Sequence, residues 1–150
     1  MLLVAVLFAV VALAVGAPAA RGGGGSGPSP PFVNKGTVHV GVGEVAYIES
    51  PNYPNNYPTW QVTGWTLTAP RGHVLVINAE AFEVEGTTTP WYNDWLGFWE
   101  LSAYTASYGR DGVTGPQNLR TQTNSVFVKF ESDRSVTFSG FRLRIETAPQ

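Results

Sequence analysis

The run Val126-Phe127-Val128-Lys129-Phe130-Glu131 places Val126, Val128 and Phe130 on one parity and Phe127, Lys129 and Glu131 on the other. Successive side chains of an extended chain point to opposite faces, so this period of two marks a strand with one dry face. The alternation recurs on both sides of it. Trp65 and Leu67 alternate with Thr66 and Thr68, and Phe141, Leu143 and Ile145 alternate with Arg142, Arg144 and Glu146. Within His73–Val84 the block Val74-Leu75-Val76-Ile77 is apolar throughout, which suits a strand in the middle of a sandwich rather than at its edge. The segments PNYPNNYP, APRG, EGTTTP, YGRDGVTGP and ESDRS interrupt the runs with turn-forming residues, and no stretch after residue 20 carries a helical stripe. Short strands between such turns predict an all-β domain, an antiparallel β-sandwich of jelly-roll type.

The 150 residues leave room for one domain and short tails. Leu2 to Val15 form an apolar run, and Ala17-Pro18-Ala19 supplies the small residues that signal peptidase requires, so residues 1–20 read as a signal peptide cut after Ala19 or Ala20. The alternative, an uncleaved anchor, wants about 20 apolar residues, more than this run holds. Nothing later in the chain is apolar for long enough to span a bilayer, so the mature chain is not expected to insert in a membrane. Arg21 to Pro31 reads RGGGGSGPSPP, a flexible and then stiffer tether, which places a linker over 21–36 and the folded domain over 37–148. The net charge of −2 comes with no basic cluster and offers no long-range attraction to phosphate backbones or anionic lipid, so nucleic acid is excluded as a partner. The chain has no cysteine, which excludes thiol catalysis, thiolate metal sites and covalent dimers. Packing must stabilise the domain, which is large enough to bury about two thirds of its unfolded surface. No Asn-x-Ser/Thr acceptor is present, so N-glycosylation is not expected.

Ser50 to Pro58 reads SPNYPNNYP. It is followed in order by WTLTAPRGH (65–73), F-x-V-E (82–85), D-W-L-x-F (94–98), V-x-F-x-S-D (128–133) and S-G-F (139–141). This ordered set resembles the CUB family over roughly residues 40–147, and the resemblance implies a CUB-type sandwich. CUB domains commonly carry two disulfides; here Gly64 and Trp91 stand about where cysteines would, and Asn93 stands where a tyrosine is usual. Functions that depend on a particular disulfide-bonded member therefore do not carry over. A lone domain of this kind behind a signal peptide is most similar to the spermadhesin architecture.

Glu85 closes one strand and Asp94 opens the next, and a hairpin between them is expected to bring both carboxylates to the same end of the sheet. Asp133 follows the strand at 126–130 and reaches that end in a CUB-like sandwich. Three carboxylates together repel unless a cation neutralises them, and oxygen-lined loops suit Ca²⁺, which takes about six to eight oxygens. The resemblance implies the same set. In calcium-binding CUB domains the ligands are a Glu and two Asp with a Tyr alongside, which match Glu85, Asp94, Asp133 and Tyr57; Ser135, on the Asp133–Ser135 loop, joins the metal set. The resemblance also implies that a basic side chain of the partner, often a lysine, engages these acids. Two departures stand against it: the Glu85–Asp94 interval is one residue longer than usual in the family, and Arg134 is a rival positive charge. Acids on loops are also ordinarily no more than solvated groups.

In Asp94–Leu101 the resemblance turns Leu96 and Phe98 inward, which leaves Trp95, Gly97 and Trp99 on the other side, with Trp91 shortly before. Exposed aromatics stack on sugar rings or fill partner pockets, so Trp91, Trp95 and Trp99 are candidate ligand-binding residues. A loop or the opposite sheet covering them is the equal alternative. His39 and His73 are isolated, and no zinc-protease or nucleophile-elbow spacing occurs. A glycosidase-like acid pair needs a cleft for several sugar units, which so small a domain does not offer. The expected function is thus not enzymatic: a secreted, calcium-stabilised module that recognises an extracellular protein or glycan. A lectin-like module working through its surface tryptophans and a structural matrix or coat component are the alternatives, and the residues specify neither partner nor oligomeric state.

Overall fold

The computed structural model describes residues 30–86, 94–109 and 114–150, so the signal-peptide stretch, the first part of the linker and Trp91 lie outside the described residues. The strands, in chain order, are β1 (Phe32–His39), β2 (Ala46–Glu49), β3 (Val62–Thr68), β4 (His73–Glu83), β5 (Trp95–Glu100), β6 (Ala103–Tyr108), β7 (Leu119–Arg120), β8 (Ser125–Glu131) and β9 (Gly140–Pro149). They build a five-stranded sheet, β1-β3-β8-β5-β6, and a four-stranded sheet, β2-β9-β4-β7. Every pairing is antiparallel except that of β1 with β3, which is parallel. No helix among the described residues is long and apolar enough to cross a membrane.

Each dry parity faces the space between the sheets. Trp65 and Leu67, Leu96 and Phe98, Val126, Val128 and Phe130, and Phe141, Leu143 and Ile145 are all buried. The apolar block of β4 lies between β9 and β7, as expected of an inner strand. Aromatic rings meet edge to face at the centre, Tyr57 against Phe130 with centroids 5.1 Å apart and Phe130 against Phe141 at 5.3 Å. Full burial of such a side chain stabilises by about 1.5–3 kcal/mol, and here it does the work that disulfides do in smaller secreted domains.

The first strand differs from expectation. β1 starts at Phe32, so residues 32–36, assigned to the linker from sequence, belong to a strand, and Phe32, Val33 and Asn34 among them pair with β3. Nearly all of its side chains are exposed, so it carries no alternation to read. Its register shifts between Asn34 and Thr37, where Gly36 takes a φ of 85° and its N–H donates to Asn34 Oδ1 at 2.8 Å. Phe32 and Phe127 close over Gly64, where a Cβ would meet their rings at 2.7 and 2.8 Å. The place about where a family cysteine would stand is thus filled by two aromatic rings.

The motifs at the two ends of the domain touch. Gly140 of the S-G-F motif has a φ of 82°, and a Cβ there would lie 1.9 Å from Ser50 Oγ, the first residue of SPNYPNNYP. Ser50 Oγ in turn accepts the Phe141 N–H at 3.0 Å. Tyr57, later in the same segment, donates its N–H to Phe138 O at 3.0 Å and is 1 % exposed. This docking carries the phenol of Tyr57 into the end of the sandwich where the acidic residues meet.

Candidate metal centre

Glu85 follows β4 by two residues, Asp94 immediately precedes β5, and Asp133 follows β8 by two residues. β5 and β8 are antiparallel neighbours with Trp95 opposite Glu131, which puts Asp94 beside the start of the β8–β9 loop. The sheet order corrects the expected hairpin: β4 and β5 belong to different sheets and do not pair with each other. Successive strands on facing sheets still end at the same pole. One carboxylate oxygen from each of Glu85, Asp94 and Asp133 lies within 4.8 Å of the others.

Backbone donors hold this geometry. Asp94 Oδ1 accepts the Asp133 N–H at 2.6 Å, and the Tyr57 hydroxyl oxygen accepts the Glu85 N–H at 3.1 Å. Ser135 donates both its N–H (2.8 Å) and its hydroxyl (3.2 Å) to Asp133 Oδ1, which folds the Asp133–Ser135 loop around that carboxylate. Gly109 backs the site: at a φ of 106°, a Cβ there would come 2.7 Å from Asp94 O. Arg134 is exposed, and among the described residues it forms no ion pair with the three acids.

The electrostatics are unsatisfied. Asp94 is 0 % exposed, and neither its Oδ2 nor the buried Oε2 of Glu85 has a hydrogen-bond partner. Burial pushes the Asp94 carboxyl up to about 6; the adjacent Tyr57 hydroxyl and the Asp133 N–H pull it down, while the charges of Asp133 and Glu85 push it further up. Burial, with the Asp94 carboxylate beside it, also raises the Tyr57 hydroxyl above its ordinary value. A buried acid need not be left in this state. Glu100, at the far end of β5, is also buried, yet its Oε2 accepts from Gln122 N (2.8 Å), Thr123 N (2.7 Å) and Thr123 Oγ1 (3.0 Å). Buried oxygens without a hydrogen-bond partner are rare in native proteins, so these two call for a compensating group. Hard oxygen donors from three loops, two of them unpartnered, fit a calcium ion in ligand type and in charge.

The aromatic candidates lie elsewhere. Trp95 and Trp99 occupy the outer face of the five-stranded sheet, both half-buried, their centroids 5.8 Å apart with Gly97 between them. Trp99 also meets Tyr104 (5.7 Å) and Phe127 (6.1 Å), and Lys129 Nζ sits 5.2 Å from the Trp95 centroid. His39 and His73 are engaged with Thr68 Oγ1 and Arg71 O, away from the acids. Trp60 is a residue that the sequence does not single out. It is exposed, has a φ of 56°, and donates its N–H to Asp133 O at 2.8 Å; nothing in the local sequence marks a tryptophan for that backbone conformation.

Comparison with known proteins places this geometry in a family context. The model of the CUB domain matches residues 41–145. The chain is 36 % identical over 108 residues to dog cubilin, covering 71 % of this chain and 3 % of cubilin. It is 33 % identical over 99 residues to Xenopus laevis bone morphogenetic protein 1, covering 65 % of this chain and 14 % of that protein. The chain therefore spans a small part of the length of these relatives. Among solved structures, the CUB2 domain of MASP-1 bound to Ca²⁺ superposes with a TM-score of 0.61 at 25 % identity, covering 73 % of this chain and 98 % of that domain.

Proposed function

Because this chain belongs to the CUB domain family, we propose that it is an extracellular binding module in which Glu85, Asp94 and Asp133 hold a calcium ion and so fix the surrounding loops for a protein partner. The observation that carries this reading is the fully buried Asp94 with an unpartnered Oδ2 inside a cluster of three carboxylates. A bound calcium ion supplies positive charge to three acids that otherwise repel. Tyr57 and Ser135 position the acids: one holds the Glu85 backbone, the other orients the Asp133 carboxylate. The carboxylates are asked to bind and not to catalyse, in keeping with the role of CUB domains as protein-binding modules of extracellular proteins. Residues 1–20 serve export in this reading, and the Gly-rich stretch after them is a tether. A glycan partner on Trp95 and Trp99 is the second reading, favoured by their sharing one sheet face with Tyr104 and Phe127.

Calorimetric titration with calcium tests the first reading. One saturable site in the wild type, absent from both Asp94→Asn and Glu85→Gln, is the expected result; heats unchanged by either substitution count against it.

A further inference from the structure

Few side-chain contacts hold β1 to the fold. All of its side chains except Val38 are exposed, and Lys35 and Gly36 fall outside its ladder with β3. What fixes it is backbone pairing with β3, the packing of Phe32 with Phe127 over Gly64, and a contact at its far end between His39 Nδ1 and Thr68 Oγ1 at 3.1 Å. None of these involves the connection to β2, which is closed by its own bonds. Glu44 N–H donates to Gly41 O at 3.1 Å, Glu44 Oε2 accepts the Gly41 N–H at 2.9 Å, and Gly43 takes a φ of 77°. The composition of this turn is unusual. Val42 and Val45 are β-branched residues that favour extended chain, and they stand where turns ordinarily take Asn, Asp or Pro. Both are exposed, Val42 by 63 % and Val45 by 42 %.

We propose that two copies of this chain associate by exchanging β1: the turn at Gly41–Val45 opens into extended chain, and each β1 pairs with β3 of the other copy. The fold itself says what occupies the β3 edge. There the β1 of a second copy makes the same pairings, and the same Phe32 and His39 contacts, that β1 makes within one chain, so the exchange gives up only the turn. In its place the two opened segments run side by side across the two-fold axis, where Val42 and Val45 of each lose water and pair as strand residues do. Gly43 is then released from its left-handed backbone. Glu44, the one charge in residues 40–45, opposes its counterpart across that axis, which keeps the association weak and the monomer in equilibrium with it. A swapped dimer carries two acid-bearing poles in one particle, and linked sites bind a repetitive surface more tightly than either does alone. The exchange does not depend on the calcium reading.

The lack of native cysteine makes a direct test available. The full chain is held at millimolar concentration near its melting temperature, cooled, and sized by light scattering; wild type is expected to give a dimer that dissociates slowly on dilution. The double variant His39→Cys/Thr68→Cys, treated in the same way and oxidised after cooling, reports where each β1 lies. Its dimer should stay covalent in denaturant, with the 39–68 bond located by peptide mass, whereas its monomer should close the same bond within one chain. Gly43→Ala carries the test without cysteines. Its Cβ meets nothing within 4 Å, so it penalises only the left-handed turn of the closed form. Two turns are relieved in each dimer, so the association constant should rise at least about tenfold. Gly72→Ala, at a φ of 78° in the β3–β4 turn that both forms keep, should leave it unchanged. Monomer alone in both wild type and Gly43→Ala overturns the proposal. So does a dimer whose 39–68 bonds all lie within single chains, or an equal response to Gly43→Ala and Gly72→Ala.

Discussion

Asp94 Oδ1 accepts the backbone N–H of Asp133 at 2.6 Å, while Oδ2 of the same fully buried carboxyl has no partner. The first contact joins β5 to the β8–β9 loop and explains why Asp94 is where it is. The second leaves a charge in a dry place with only part of its hydrogen-bonding capacity met, a state that costs stability unless a cation or a proton relieves it.

Asp94→Asn separates these two roles. Its amide oxygen retains the acceptor for the Asp133 N–H and the substitution removes the uncompensated charge. In chelator at neutral pH the variant is expected to be at least as stable as wild type by urea denaturation, and to show no response to calcium. A variant markedly less stable than wild type in chelator shows that the charge itself supports the fold.

The raised Asp94 carboxyl gives stability a defined pH dependence. Its folded value is about 6 against an ordinary 3.8, so between these values the native state holds more protons than the unfolded state. Stability from this group is therefore present at low pH and is lost as pH rises through about 6 in the absence of calcium. Calcium binds the ionised cluster, so its affinity should weaken as pH falls below about 6. Denaturation midpoints of wild type and Asp94→Asn across pH 4–7 in chelator isolate the effect: their difference should grow in favour of the variant as pH rises, and a constant difference removes Asp94 as its source.

Gly140→Ala is expected to destabilise by about 2–4 kcal/mol, because it combines a positive φ with overpacking against Ser50. Gly72→Ala, at a φ of 78° with no neighbour within 4 Å of the added Cβ, should cost only about 1 kcal/mol from backbone strain. Equal costs at the two sites mean that the Ser50 contact relaxes freely.

Trp99→Ala should cost about 1–3 kcal/mol, less than a core aromatic but more than an exposed one, because the half-buried ring packs on Trp95, Tyr104 and Phe127. A change under about 0.5 kcal/mol identifies Trp99 as a free surface residue and strengthens the glycan reading.

β3, β8 and β9 were legible because each alternates a dry and a wet face, and that parity matches the burial of Trp65, Val128 and Leu143. The inward turn of Leu96 and Phe98 on β5 came from the resemblance, since Trp95 and Trp99 make its other face aromatic as well. β1 was not legible: an edge strand with both faces exposed carries no period, and its pairing rests on backbone bonds and on Phe32 covering Gly64. The meeting of Glu85, Asp94 and Asp133 was anticipated, but the placing of β4 and β5 on different sheets was not, because two strands joined by a loop look alike in sequence whether they share a sheet or face each other. Trp60 was missed because its meaning lies in a backbone conformation set by Asp133 O and Ser132, residues far away in the chain.

The most direct measurement is the thermal unfolding of the wild-type chain in about 10 mM calcium, in the same concentration of magnesium, and in chelator. For a site of about 10⁻⁴ M affinity, calcium at that level adds about 2.7 kcal/mol to the native state, a rise of several degrees in Tm for a domain of this size. Magnesium, which demands tighter octahedral geometry and dehydrates reluctantly, should give little of it. Glu44→Ala, in the β1–β2 loop, should keep the calcium shift in full, whereas Asp94→Asn abolishes it. A wild-type protein that melts at the same temperature in calcium and in chelator contradicts the account, and leaves Glu85, Asp94 and Asp133 as acids that the fold tolerates rather than uses.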